Sequence, residues 1–311
     1  MSESFSDNNF SLARKSPALQ TRANLIQSIR LFFTQNGFLE VETPLRIPAP
    51  APEEHIEAIP SDGWFLQTSP ELCMKRLLAA EYPRIFQISK CFRADERGDR
   101  HLPEFTMLEW YVTGFDYQQL MNQCEAMILA VAADSGGEAI SLQNKKIILS
   151  PPWERITVEK AFLRYAPVTS NEAMAKGIFD EILVDYVEPQ LGISRPTFLY
   201  DYPAKLTALA KLKDSNPAVS ERFELYIGGL EIANGFSELI NAQEQRERFE
   251  EALKARAAKN WARYAMPEKF LQSLANLPPC AGIALGIDRL IMVMTGAKTI
   301  DDVVAFTPEN L

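Results

Sequence analysis

From Pro17 to Asn36 the apolar residues Leu19, Ala23, Ile26, Ile29 and Phe33 recur at spacings that gather them on one side of an α-helix. Gly37 follows as the stop, because glycine takes up the left-handed conformation that ends a helix. The next segment, FLEVETP, is strand-like up to Pro44, and the proline-rich stretch from Ile47 to Glu54 reads as a loop. Ser69-Pro70 opens a second helix through ELCMKRLLAA, with proline in the first turn, where its missing N–H costs nothing. Residues 84–93 and 104–111 read as two strands around a charged loop, and 117–134 as an amphipathic helix. Short strands and helices mix over 140–220, with little legible chemistry. A hairpin over 222–240 turns at Gly228-Gly229, an Arg- and Glu-rich helix covers 243–259, and the strand GIALGI runs into the helix DRLIMVMTG. Hairpin strands with helices beside them predict an α+β fold around an antiparallel sheet. With no internal repeat or low-complexity linker, a single catalytic-sized domain over 1–311 is expected, its polar first 16 residues frayed or loosely docked.

Composition narrows the function. The 311 residues are 47% hydrophobic and 23% charged, ample for a large core, and the net charge is −9. Phosphate contacts need an excess of Lys and Arg, so a general nucleic-acid binder is disfavoured, though a local basic patch is not. Cys73, Cys91, Cys124 and Cys280 have no metal-knuckle or redox-pair spacing, and His55 and His101 are the only histidines, so reduced, buried thiols are expected. The start, MSESFSDNNFSLARKS, has no apolar core of a signal peptide, and no apolar run approaches the ~18 residues of a membrane span. A cytoplasmic location is the expectation.

Three segments hold candidate chemistry. In CFRADERGDRHLPEFTMLEWY, 91–111, period two places Phe105, Met107, Glu109 and Tyr111 on one strand face, after a loop rich in charge. In RFELYIGGLEIANGFSEL, 222–239, a two-residue turn pairs Tyr226 with Glu231 and sets Glu224 diagonally across on the same face. The other face collects Phe223, Leu225, Ile227, Leu230 and Ile232. Two carboxylates on one face repel unless a cation lies between them, and hard oxygen ligands suit magnesium shared with phosphates. In GIALGIDR, 282–289, Gly282, Ala284 and Gly286 point the same way, leaving room for a ligand against the backbone, and Arg289 opens the helix that follows. Each segment alone also reads more plainly, as a solvated hairpin, two solvent-facing glutamates and a close helix–sheet contact.

Together and in this order, they resemble the three motifs of class II aminoacyl-tRNA synthetases: GFLEVETP (37–44), FRAD followed by HLPEF, and GIALGIDR. SPELCMKRL (69–77), RHLPEFTMLEWY (100–111), RPTFLYDYP (195–203) and EIANGFSEL (231–239) make the closer likeness to lysyl-tRNA synthetases. Those enzymes carry an N-terminal anticodon-binding barrel of about a hundred residues or more, whereas here the first motif arrives at residue 37. The shortened form resembles the synthetase paralogues that attach a β-lysine to a lysine of elongation factor P. Ala284 is similar to those paralogues, where the synthetases have glycine; its methyl would stand at the floor of the amino-acid pocket. Overpacking such a site costs about 1–3 kcal/mol, and a β-amino acid could avoid the clash.

The resemblance implies roles. ATP and an amino acid form an adenylate, with catalysis resting on Arg93 at the α-phosphate and on Arg289, which covers the adenine opposite Phe105. The ATP site would also include Ala94, Asp95, His101, Leu102, Glu231, Ile232 and Gly286, with Glu224 and Glu231 holding Mg2+. The amino-acid pocket would comprise Ser69, Pro70, Glu71, Glu109, Tyr111, Asn234, Phe236, Glu238 and Ala284, anionic because the substrate ends in an ammonium. Ala94 and Asp95 stand where the family has Asn and Glu, and Leu102 where it has Asn. Implied partners are (R)-β-lysine, elongation factor P as protein acceptor and a second copy of the chain; no stable tRNA complex and no membrane are expected. Two other readings share the motifs: lysyl transfer to tRNA or another acceptor, and an inactive paralogue serving as a binding subunit. The second should have lost motif arginines or carboxylates, which are all present.

Overall fold

A computed structural model describes residues 12–134, 137–142 and 145–311. Nine strands form its main sheet: β1 (Leu39–Glu40), β2 (Arg84–Phe92), β3 (Glu104–Thr113), β4 (Glu154–Thr157), β5 (Thr197–Pro203), β6 (Leu212–Lys213), β7 (Asn216–Ile227), β8 (Leu230–Ser237) and β9 (Cys280–Gly286). They lie in the order β1-β2-β3-β9-β8-β7-β5-β4, with β6 on β7. The centre is antiparallel as expected, but the outermost pairs β1–β2 and β5–β4 are parallel, so the sheet is mixed.

One face packs on three helices: α1 (Ser16–Gln35), α3 (Tyr117–Asp134) and α5 (Ile287–Thr295). Its core holds Ile29, Phe33, Trp110, Met121, Ile128, Phe223, Leu225 and Ile291. Phe33 touches Phe38, Phe86 and Trp110 at ring separations of 4.8–5.1 Å, locking α1 onto β2 and β3. Arg22 of α1 pairs with Asp288 and donates to Thr106 Oγ1 at 2.6 Å, while the Thr106 amide donates to Asp288 Oδ2 at 2.7 Å. That knot ties the start of α5 to β3.

The opposite face is left to α2 (Glu71–Ala79), α4 (Ala242–Ala258) and the loops, and here a cavity opens. Gly37 ends its helix at φ 74°, and Gly228 and Gly229, at φ 66° and 74°, make the tight turn between β7 and β8. One expectation changes and another narrows. FLEVETP contributes only the two residues of β1, since Pro44 and its neighbours make no ladder. Of the start expected to be frayed or loosely docked, residues 12–14 are helical and the Lys15 ammonium donates to the carbonyls of Val304 and Ala305, so of the two that stretch is docked; residues 1–11 lie outside those described.

Candidate active site

Register builds the site. Directly opposed residues share a sheet face. Glu109 opposes Ala284, which opposes Asn234, which opposes Glu224; Tyr111 opposes Gly282, which opposes Phe236, which opposes Arg222. Two rows of side chains therefore cross β3, β9, β8 and β7 on the face away from the core helices. This arrangement depends on a bulge in β8. A regular hairpin with Tyr226 opposite Glu231 would set Glu224 against Ala233 and turn Asn234 and Phe236 toward the core. The register instead shifts after Tyr226, so that Leu225 meets Ala233 and Glu224 meets Asn234. Tyr226 opposes Glu231 and Glu224 lies diagonally across on the same face, as expected; the extra residue changes only where Asn234 and Phe236 point.

The rows floor a cavity of about 690 Å³. Its walls bring together Ser69, Glu71, Arg93, His101, Leu102, Phe105, Glu109, Tyr111, Glu224, Glu231, Ile232, Asn234, Phe236, Ala284, Gly286 and Arg289. Four sequence candidates are not on those walls. Pro70 caps α2, and the Ala94 amide donates to Glu57 O at 2.8 Å. Asp95 is exposed, with a left-handed φ of 61°. Glu238 is enclosed just behind Gly282.

At one end the groups are acidic. Ser69 Oγ donates to Glu109 Oε1 at 2.6 Å and Tyr111 Oη donates to Glu109 Oε2 at 2.7 Å. Burial, then the charge of Glu71, pushes the Glu109 carboxyl up to about 7. Burial pushes Glu238 up to about 8 despite the nearby Lys75 ammonium, which pairs with both Glu238 and Glu71. Tyr111 is held well above its ordinary range by burial and by Glu109. Glu53, from the proline-rich loop, also reaches the cavity, its carboxyl raised to about 7 by burial and by Glu71. Such an end is short of positive charge and suits an ammonium guest.

At the other end the groups are basic and aromatic. The Arg93 guanidinium lies 5.2 Å from the Phe105 ring centroid, and its buried Nε has no hydrogen-bond partner. Arg289 donates to Glu231 O at 2.9 Å and Glu231 Oε2 at 3.1 Å, and its Nη2 is 2.5 Å from His101 Nε2. Burial and the Arg289 charge lower the His101 pKa, so the neutral ring can accept that bond. Glu224 accepts from Tyr202 Oη at 2.5 Å, Tyr226 Oη at 2.6 Å and Arg222 Nη2 at 2.6 Å. Burial and Glu231 raise its carboxyl above the ordinary value. Among the described residues no three acidic, His or Cys groups gather as a metal cage. Glu224 and Glu231, each already paired with an arginine, still offer hard oxygens, and that donor set fits a magnesium ion that takes its other ligands from phosphate.

Sequence reasoning missed several of these groups. Lys75 is four residues after Glu71 on α2, a spacing that brings two helical side chains together. Arg222 shares the face of Glu224 by period two. Tyr202 lay within the RPTFLYDYP likeness without a role, and Glu53 in a loop read only as a loop.

The sequence that builds this cavity has relatives among known proteins. The profile of tRNA synthetases class II (D, K and N) matches residues 9–310, and the chain belongs to that family. In particular, it is similar to proteins named elongation factor P–(R)-beta-lysine ligase. That of Proteus mirabilis is 39% identical over 93% of this chain and 94% of its own. Those of Pectobacterium carotovorum and Hamiltonella defensa are 39% and 37% identical over 94% of this chain and 95% of theirs.

Proposed function

We propose that the protein activates (R)-β-lysine with ATP and transfers the β-lysyl group to a lysine side chain of elongation factor P. In the first step a substrate carboxylate oxygen attacks the α-phosphorus of ATP and pyrophosphate leaves. In the second the acceptor amine attacks the acyl carbon, loses a proton and releases AMP. Positioning and charge stabilisation carry such chemistry.

The observation that carries this reading is one cavity with opposite chemistry at its two ends. Arg93 would neutralise charge at the α-phosphate, its unpartnered Nε being free to donate. Phe105 and Arg289 would enclose the adenine, with His101, Leu102, Ile232 and Gly286 around the nucleotide. Ala94 and Asp95, off the cavity wall, would act only through the backbone of the motif-2 loop. Bound between Glu224 and Glu231, Mg2+ would offset phosphate charge. Glu71, Glu109 and Glu238 would receive the substrate ammonium groups, Ser69, Tyr111 and Asn234 would fix their geometry, and Pro70, Phe236 and Ala284 would shape the pocket. Ala284, opposite Glu109, would discriminate between α- and β-amines.

A chain acting on a translation factor would work in the cytoplasm, without a stable tRNA complex and as a single catalytic domain. Among the described residues no helix is long and apolar enough to cross a membrane. We also propose a homodimer through the first-motif segment, whose Leu39 and Leu45 are 50% and 43% exposed. The test of the function is ATP–pyrophosphate exchange over a panel of amino acids, followed by mass analysis of elongation factor P and charging of tRNA. Exchange best with β-lysine and a β-lysyl mass gain on the factor are expected. Charging of tRNA with no gain on the factor would refute the acceptor.

A further inference from the structure

The acidic end of the cavity already contains a cation. Lys75, one helical turn after Glu71, is fully buried, with its Nζ 2.5 Å from Glu71 Oε1 and paired also with Glu238. The Phe236 and Phe270 ring centroids lie 5.3 and 5.9 Å from the ammonium. Glu238 is equally enclosed. Its second oxygen, Oε1, makes no hydrogen bond and stands 2.5 Å from where a β-carbon of Gly282 would be, on the cavity wall. Lys75 therefore grips one side of Glu238 and leaves the other, buried behind Gly282 at the cavity floor, without a partner.

We propose that Lys75 is a positioning residue that aims Glu71 and Glu238 and eases the ionisation of Glu238, so that the ammonium of a lysine-like substrate can displace its proton and meet charge. The inference deepens the function proposed above and rests on it. The groups acting on Glu238 are Lys75 and Glu71 from α2, Glu109 and Tyr111 from β3, and the Cys280 thiol from β9. Lys75 is the only cation among them. Carboxyls crowded in a low dielectric retain protons unless an opposite charge is close. An ammonium on a fixed helical turn supplies that charge without filling the cavity, and its two ion pairs hold two carboxylates that come from separate elements.

The test uses the full-length protein with Lys75→Met, which removes the charge at similar length, and Lys75→Arg, which keeps it. The KM for β-lysine in ATP–pyrophosphate exchange at pH 7 is expected to rise at least roughly tenfold in the Met variant, with the KM for ATP within about twofold of wild type. The pH at which the β-lysine KM improves should move upward, because Glu238 then ionises only at higher pH. Infrared difference spectra provide a readout that needs no turnover: the carboxylic-acid band abolished by Glu238→Gln should titrate at higher pH in Lys75→Met and at the wild-type position in Lys75→Arg. A band that does not move in Lys75→Met, or a β-lysine KM unchanged or lowered, overturns the role. Should Lys75→Met not fold, Lys75→Arg decides: a displaced band refutes the proposal and an unmoved one supports it. Failure of the wild type to activate any lysine isomer would refute the function, while the infrared result would still judge Lys75.

Discussion

A β-carbon added at Gly282 would overlap the Tyr111 ring and stand 2.5 Å from Glu238 Oε1. Gly282→Ala should therefore cut lysine activation by at least roughly tenfold through KM, leaving the KM for ATP close to wild type, as pyrophosphate exchange would measure. Ala284→Gly tests the opposite change, and the ratio of α- to β-lysine activation should rise by roughly tenfold; an unaltered ratio would remove Ala284 from the selectivity argument. The carboxyls near 7 and 8, Glu109 and Glu238, hold protons that an ammonium guest must displace. The amino-acid KM should fall as pH rises through that range, and binding at neutral pH should release protons, seen calorimetrically as a heat that varies with the buffer. The linked effect on folding has the reverse sign: these folded-state values exceed the unfolded one, so their contribution to stability is complete below about 4.5 and is lost as pH rises through 7 to 8. At this scale the chain was partly legible. Period two was enough to set Glu109 and Tyr111 on one face, whereas Glu238 came only from the family likeness. The burial that raises its pKa comes from helices distant in sequence.

The bulge in β8 shows what an element adds. A regular hairpin predicts the carboxylate face of Glu224 and Glu231 and the apolar row behind it, but puts Asn234 and Phe236 on the core face. One extra residue reverses that, and nothing local in EIANGF announces it, because bulges are settled by what the neighbouring strand β9 accepts. The proline-rich loop was equally opaque, for its anchor lies 200 residues away. Arg256 of α4, 1% exposed, pairs with Glu57, donates to Glu53 O at 2.9 Å and Ile56 O at 2.7 Å, and lies 3.9 Å from the Tyr264 ring. Arg256→Met should cost about 2–4 kcal/mol of stability in chemical denaturation. Faster amide exchange at 53–58 would show that the loss is local to that loop.

For the molecule as a whole, the class of fold followed from hairpins and flanking helices, and the family from the order of three short motifs. The parallel pairs at the two sheet edges did not, since a two-residue strand such as β1 has too few positions to carry a pattern. Association belongs to this scale too: sedimentation at micromolar concentration should give twice the 35.0 kDa of one chain, and Leu39→Glu should restore the single-chain mass. The order β3-β9-β8 has a consequence for synthesis. The strand in the middle of the catalytic face is the last of the nine to leave the ribosome. A nascent chain paused before Cys280 would present two long, naked strand borders flanking an empty slot, inviting a chaperone, a protease or a neighbouring polypeptide until Cys280–Gly286 slides between them.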